Sequence, residues 1–271
     1  MKLFRRPERD PEPSWHLQST ARTHIGHVRS VNEDRMLDCT DHQLWAVADG
    51  MGGHSRGDRA ATIVVRALAG LADETSAISS RSITSALNAA NDAIFALGSP
   101  GETCGSTIAG LHVAGGLATL FWVGDSRVYR LRRGNLELLT HDHSYVQELT
   151  DAGVITAREA RAHPQANVIT RAVGIGPTLE IDYTVSDLAE GDMFLLCSDG
   201  LSSMVEDRLI GQLLDADIAN VCCDLSTGST FSRIVTPPSG VSITCNSSCR
   251  PYIPPWLLSS AKTALVAAVT A

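Results

Sequence analysis

Two apolar runs in this chain each end on an aspartate followed by a glycine. Leu44-Trp45-Ala46-Val47-Ala48 leads into Asp49-Gly50, and Met193-Phe194-Leu195-Leu196-Cys197-Ser198 leads into Asp199-Gly200. A third run, residues 120–123, stops on Gly124-Asp125. Each has the length of a buried strand closed by a turn, so each sets a carboxylate where the backbone leaves a sheet. Taken singly, an Asp-Gly step is an ordinary turn. Three carboxylates delivered in the same way, Asp49 and Asp199 about 150 residues apart, are costly to bury unless something cationic lies between them. With no accompanying His or Cys pattern, the ion that suits is hard and oxygen-preferring, Mg²⁺ or Mn²⁺ rather than zinc. Two such ions about 3.5 to 4 Å apart can activate a water for in-line attack on phosphorus. A guanidinium such as that of Arg29 can grip phosphate oxygens bidentately.

The elements that must hold these groups can be read along the chain. Residues 1–20, with Pro7, Pro11 and Pro13 among charges, read as a flexible arm. Residues 23–28 alternate as a strand and run into Arg29-Ser30-Val31-Asn32-Glu33-Asp34-Arg35, a dense charged patch. Ser55 can cap a helix reaching about Leu71, and a second helix over about 81–97 repeats the apolar stripe with Ile83, Leu87, Ala90 and Ile94. From Gly105 the period becomes strand-like. Residues 106–113 and 117–123 flank Gly115-Gly116, and 128–131 and 136–139 flank Arg133-Gly134-Asn135. Successive hairpins predict antiparallel sheet, and helices grouped apart from strands predict an α+β sandwich rather than a doubly wound parallel fold. Residues 141–174 are polar and mostly helical: Gly153 ends one helix and Thr156 with Glu159 forms a capping box for the next, an insertion placed as a flap. Strands resume at 181–185 and 193–197. Past Gly211 charged residues thin out, Pro237-Pro238 and Pro254-Pro255 punctuate Ser/Thr-rich sequence, and neither period is sustained.

Bulk properties exclude several classes. The net charge is −8, and the only lysines are Lys2 and Lys262. No basic stripe for nucleic acid results, although Arg130, Arg132 and Arg133 form a local cluster that could serve a phosphate-bearing partner. No apolar run follows the first six residues, and residues 256–270 are interrupted by Ser259, Ser260 and Lys262, too short to span a bilayer. The expectation is a cytoplasmic protein without a membrane span. Seven cysteines without repeated CxxC spacing fit a reducing compartment. No Cys-x5-Arg loop and no Gly-x4-Gly-Lys-Ser/Thr are present, so cysteine phosphatase and P-loop chemistry have no support.

Taken together, Arg29-Ser-Val-Asn-Glu33-Asp34, Asp49-Gly-Met-Gly-Gly53, Gly105-Ser106-Thr107, Gly124-Asp125-Ser126-Arg127 and Ser198-Asp199-Gly200-Leu201 resemble, in order and spacing, the metal-dependent serine/threonine protein phosphatases of type 2C, the PPM family, in its compact bacterial form. The resemblance covers about residues 20–212. It implies a four-layer αββα sandwich, two antiparallel sheets flanked by helices, with a binuclear Mn²⁺/Mg²⁺ centre in the cleft between the sheets. By the resemblance Asp49 bridges both ions, the carbonyl of Gly50 binds one, and Asp199 binds the other. Glu33 and Asp34 hold waters around the ions, Arg29 binds phosphate, and Asp125 with Asp199 holds a weaker third ion. The implied reaction is hydrolysis of phosphoserine and phosphothreonine in proteins by a water activated at that centre, opposite a Ser/Thr kinase, by a chain expected to be monomeric.

Two departures qualify the resemblance. Some relatives carry a histidine directly after the Asp-Gly pair as a proposed acid, whereas this chain has Met51; His54 stands nearby. The family also ends with an Asp-Asn pair before a last apolar strand, and that aspartate is a metal ligand. Residues 211–271 contain no Asp-Asn, only Asp215, Asp217 and Asp224. Residues 213–271 are therefore expected as an atypical tail, a divergent or frame-disrupted replacement, attached to a catalytic domain over 21–212. The alternative function is a catalytically weak, phosphatase-like regulatory protein that binds phosphorylated partners.

Overall fold

The structure, a computed structural model, describes residues 15–25, 31–52, 56–73, 77–98 and 104–215, together with the backbone of 262–270. In chain order the elements are β1 (His16–His24), β2 (Asp34–Cys39), a single 3₁₀ turn (Thr40–His42), β3 (Leu44–Met51), α1 (Arg56–Asp73), α2 (Ser80–Phe95), β4 (Gly105–Ser106), β5 (Ile108–Ala114), β6 (Leu117–Val123), β7 (Arg127–Arg132), β8 (Asn135–Leu138), α3 (Tyr145–Asp151), α4 (Ala157–Arg161), β9 (Asp182–Asp187), β10 (Met193–Cys197), α5 (Asp199–Ser202), α6 (Asp207–Asp215) and β11 (Lys262–Thr270).

Hairpin chemistry sets the strand order. Gly115 and Gly116 both have positive φ (56° and 75°) and join β5 to β6 in a tight turn. Arg133 and Gly134 do the same (52° and 76°) between β7 and β8, the backbone twist that two-residue hairpins require. The first sheet runs β2-β3-β5-β6-β9, with β4 paired to β3, and the second runs β1-β11-β10-β7-β8. All these pairings are antiparallel.

Alternation along the strands then builds the layers. Leu44, Ala46 and Ala48 of β3 face α1 and α2, packing on Val64, Leu68, Leu87 and Ile94. Their neighbours Trp45 and Val47 face the other way, against Phe194 and Leu196 of β10 and Val128 of β7. The outer face of the second sheet, with Tyr129, Leu195 and Cys197, is covered by Leu201 of α5 and by Ile210 and Leu214 of α6. The result is the expected αββα sandwich.

Two elements differ from the reading of the sequence. The strand expected from Thr23 begins at His16, so residues 16–20 belong to β1 and not to a flexible arm; Leu17 and Ala21 pack into the inter-sheet core. Residues 262–270 of the expected tail form β11, inserted between β1 and β10. A strand paired on both sides reads as a near-unbroken apolar run, which Ala264-Leu265-Val266-Ala267-Ala268-Val269 is. The proposed cap Ser55 lies outside the described residues.

Candidate metal centre

Asp49 shares the inter-sheet face of β3 with Trp45 and Val47, by the two-residue period of the strand. Its backbone is fixed by the segment opposite. Asp49 N–H donates to Thr107 Oγ1 (3.0 Å), and its carbonyl accepts from Thr107 N–H (2.8 Å) and Ser106 Oγ–H (3.1 Å). Thr107 Oγ1 lies 2.7 Å from Ser126 Oγ, which ties β3 to the turn carrying Asp125. The Gly105-Ser106-Thr107 and Gly124-Asp125-Ser126 motifs are therefore the two sides of one clamp on Asp49.

Asp34 stands directly across from Asp49 in the β2–β3 register. Asn32 Oδ1 accepts the Asp34 N–H (3.1 Å), and Ser198 Oγ–H donates to Asp34 Oδ2 (3.0 Å), a bond between the sheets at the foot of α5. Arg35 brackets the same segment by donating to the carbonyls of Asn32 (3.0 Å) and Asp34 (2.6 Å) and by pairing with Asp58 of α1. Glu33 and Asp34 are nearly enclosed. The Glu33 carbonyl accepts the Gly50 N–H (3.2 Å), which places Gly50 and its own carbonyl at the head of α1. Asp199 opens α5 from the second sheet, and its side chain lies close enough to Asp49 to raise its carboxyl. Of the expected site residues, Glu33, Asp34, Asp49, Gly50, Asp125 and Asp199 come together at one end of both sheets. Arg29 and His54 lie outside the described residues.

Electrostatics report the crowding. Burial, then the charges of Asp34, Asp199 and Asp125 and the hydrogen bond to Asp199, hold the Asp49 carboxyl well above the usual carboxylate range. Burial followed by Asp199 and Asp142 pushes Asp125 up to about 7, against the opposing pull of a backbone hydrogen bond and Arg127. Carboxylates crowded this way repel one another, and a cation between them would relieve the conflict. Among the described residues no three acidic, His or Cys side chains already surround a point at ligating geometry. The donors are all hard oxygens, they are drawn from both sheets, and they suffer for want of positive charge, so they fit Mn²⁺ or Mg²⁺.

Sequence reasoning missed several supporting residues. Gly57, in the first turn of α1, lies against the Gly50 carbonyl: a Cβ added there would stand 2.7 Å from that oxygen and 2.6 Å from Glu33 Oε1. No periodicity signals such a contact, since it depends on what the helix meets. Alanine normally stabilises a helix relative to glycine by about 1 kcal/mol. Here Gly57→Ala is expected to reverse the sign, costing about 1–3 kcal/mol from overpacking and weakening Mn²⁺ uptake; a thermal melt and a metal titration on the variant check both. Asp142 was also missed. It takes Arg127 bidentately (2.7 to 3.1 Å); burial works against the Arg127 charge, but Asp142 outweighs it and keeps the guanidinium protonated. The arginine cluster is likewise engaged: Arg130 pairs with Glu137 (2.5 Å), and Arg132 grips buried Asp192 through two nitrogens (2.6 and 2.5 Å). Cysteine chemistry stays excluded at the site, because burial pushes the Cys197 thiol up to about 12.

Beside Asp125 and Asp199 opens a cleft of about 320 Å³, roofed by α3 and α4 and bordered by Arg161 and Asp207, themselves 3.5 Å apart. No helix among the described residues is long and apolar enough to cross a membrane.

Comparison with known proteins agrees with this arrangement. The protein phosphatase 2C profile matches residues 22–223. The serine/threonine protein phosphatase PstP of Mycobacterium tuberculosis is 41% identical over 202 residues, covering 73% of this chain. This chain spans only 39% of the length of that relative. The serine/threonine phosphatase stp of Listeria monocytogenes is 36% identical over 210 residues, 73% of this chain and 83% of its own length. Among solved structures, the catalytic domain of PstP in complex with two manganese ions superposes with a TM-score of 0.73 at 31% identity, covering 95% of this chain and all of that one. A profile match that runs from within β1 to beyond α6, over a sandwich of the same shape, makes this chain a member of the protein phosphatase 2C family.

Proposed function

We propose that the chain hydrolyses phosphoserine and phosphothreonine in proteins, opposite a Ser/Thr kinase and as a monomer, with Mn²⁺ or Mg²⁺ at a centre around Asp49 and Asp199. The observation that carries this reading is the crowding of buried carboxylates from both sheets at one point, Asp49 beside Asp34, Asp125 and Asp199, with no cationic side chain of the described residues among the causes acting on Asp49. Asp49 would bridge two ions, the Gly50 carbonyl would serve one, and Asp199 the other; Asp125 and Asp199 would share a weaker third. When bound, such ions neutralise phosphoryl oxygens and acidify a coordinated water.

The chain's own residues do the rest. Ser198 orients Asp34, and Asp34 and Glu33 would hold water beside Asp49. Arg29 would bind the phosphoryl oxygens; Arg127 is already committed to Asp142. The cleft under residues 141–174, which we take as the flap, is large enough for the side chain bearing the phosphate. Met51 offers no proton to the leaving group.

A second reading has one specific support. Without an Asp-Asn pair in residues 211–271, one ion would lack a carboxylate, and a weakly catalytic phosphoprotein-binding protein becomes the rival. Turnover of a small aryl phosphate by the purified chain, with and without Mn²⁺, separates the two: metal-dependent hydrolysis is expected, and metal-independent phosphopeptide capture without turnover would favour the rival. Arg29→Ala is expected to raise KM on the order of tenfold or more, the loss of a charge-assisted hydrogen bond, while Mn²⁺ binding stays unchanged. Equal loss of both would remove Arg29 from its assigned role.

A further inference from the structure

The turn that carries Asp125 is gripped from outside its own sheet by the backbone and side chain of one residue. His143 is buried, 4% exposed. Its backbone N–H donates to the Gly124 carbonyl (2.9 Å), and its Nδ1 accepts the Gly124 N–H (3.1 Å). Gly124 can make this double contact because it sits at φ 107°, with Thr107 so close behind it that a Cβ would stand 2.6 Å from Thr107 Cγ2. An Nδ1 that accepts carries no proton, so the ring proton is on Nε2. Nε2 lies 3.1 Å from Asp182 Oδ2, and donates to it. Asp182 is in turn held by Arg171 through both oxygens (3.1 and 3.3 Å). The imidazole stacks on Trp122, ring centroids 6.3 Å apart.

Arg171 and His143 belong to the two strands of chain by which residues 141–174 join the sandwich. Ser144 bridges Ile169, Tyr145 N–H donates to the Val168 carbonyl, and Thr170 N–H donates to the His143 carbonyl (both 2.9 Å). These contacts form a neck. The path from the neck to the Asp125 turn is thus Arg171, Asp182, His143, Gly124, every step a hydrogen bond.

We propose that His143 is a positioning residue for Asp125: held as the Nε2–H tautomer by Asp182, its imidazole couples the neck of residues 141–174 to the Gly124–Asp125 turn and sets where the Asp125 carboxylate stands for its ion. This rests on the metal-dependent reading above. A buried histidine that merely fills space would stabilise the fold without distinguishing one ion from another.

The test compares three variants on the full chain. His143→Asn keeps an acceptor at the Nδ1 position and loses the link to Asp182; His143→Gln shifts the polar end to the Nε2 position and loses the side-chain bond to Gly124; His143→Ala loses both. Calorimetric Mn²⁺ titration should show the weakest binding step lowered about 10-fold or more in His143→Ala and His143→Gln, the range for residues that orient ligands, and lowered about threefold or less in His143→Asn. In an Asp125→Asn background, His143→Ala should cause no additional change in Mn²⁺ binding. Imidazole ¹⁵N shifts of the metal-free wild type should report the Nε2–H tautomer. Equal weakening of every Mn²⁺ step in all variants, an undiminished effect in the Asp125→Asn background, or the Nδ1–H tautomer overturns the positioning role. Should His143→Ala fail to fold, the Asn–Gln contrast decides the matter. A wild type that takes up no Mn²⁺ overturns the metal reading itself and is distinct from each of these results.

Discussion

Asp49→Asn is expected to eliminate Mn²⁺ binding and lower kcat/KM on the order of 10³-fold, while making the metal-free protein more stable. Both halves follow from the same geometry. Asp49 is raised by burial and by three neighbouring carboxylates, so its ionised form is disfavoured in the folded chain and the amide, nearly the same shape, relieves that conflict. The backbone clamp from Thr107 and Ser106 does not involve the side chain, so the turn survives the exchange. What would be lost is the negative group proposed to serve two ions, and loss of a single transition-state electrostatic partner alone costs about 10² to 10³ in rate. Stability gained at the expense of activity is the pattern expected where a site is held in an unfavourable state for function. Urea melts of metal-free protein, aryl phosphate kinetics and Mn²⁺ calorimetry on one preparation check all three. A variant less stable than the wild type without metal would contradict the crowding argument even if activity were lost.

The second large effect concerns pH. The folded Asp125 carboxyl lies at about 7, against an ordinary value of 3.8. Below about pH 4 the group is protonated in folded and unfolded chains alike, and its stabilising balance is intact. As pH rises towards 7, the unfolded chain ionises freely while the folded chain must either keep its proton or bury a charge, so stability falls. The loss across that window is on the order of 4 kcal/mol for the metal-free protein. Asp125→Asn removes the titration, so the wild type should lose stability relative to this variant between about pH 4 and 7 and no further above it. Added Mn²⁺ should restore the wild type, most strongly at the upper end, where protons no longer compete for the carboxylates; at 100 times its Kd an ion contributes about 2.7 kcal/mol. Wild type and variant keeping a constant separation across the window would refute the placement of Asp125.

Asp49, Asp125 and Asp199 were legible because each follows an apolar strand, and strand ends are where short-range pattern and function coincide; Glu33 and Asp34, at the start of β2, were reached only through the family resemblance. Hairpin glycines at 115–116 and 134 were legible for the same reason: turn chemistry is local. What depends on distant partners was not. β11 pairs with β1 across some 240 residues of sequence, and its polar, proline-punctuated surroundings concealed an apolar run that the sheet needs. The register pairs Ala264 with Cys197 and Lys262 with His24, so β11 begins at the same end of the sandwich where β10 releases Asp199. Gly57 and His143 show a second limit. Each touches the centre through a contact made only after folding, and a glycine in a helix or a histidine in a polar stretch carries no sign of it. Asp142 illustrates the reverse: a carboxylate close to the site that is occupied with Arg127 and leaves the ions to others.

The central claim, that carboxylates from both sheets converge on neighbouring hard cations, is tested most directly by anomalous diffraction from crystals of this chain soaked in Mn²⁺. Two peaks about 3.5 to 4 Å apart are expected beside the Asp49 carboxylate, with Asp199 turned to an ion. Crystals soaked at saturating Mn²⁺ that carry no peak beside Asp49 would contradict it.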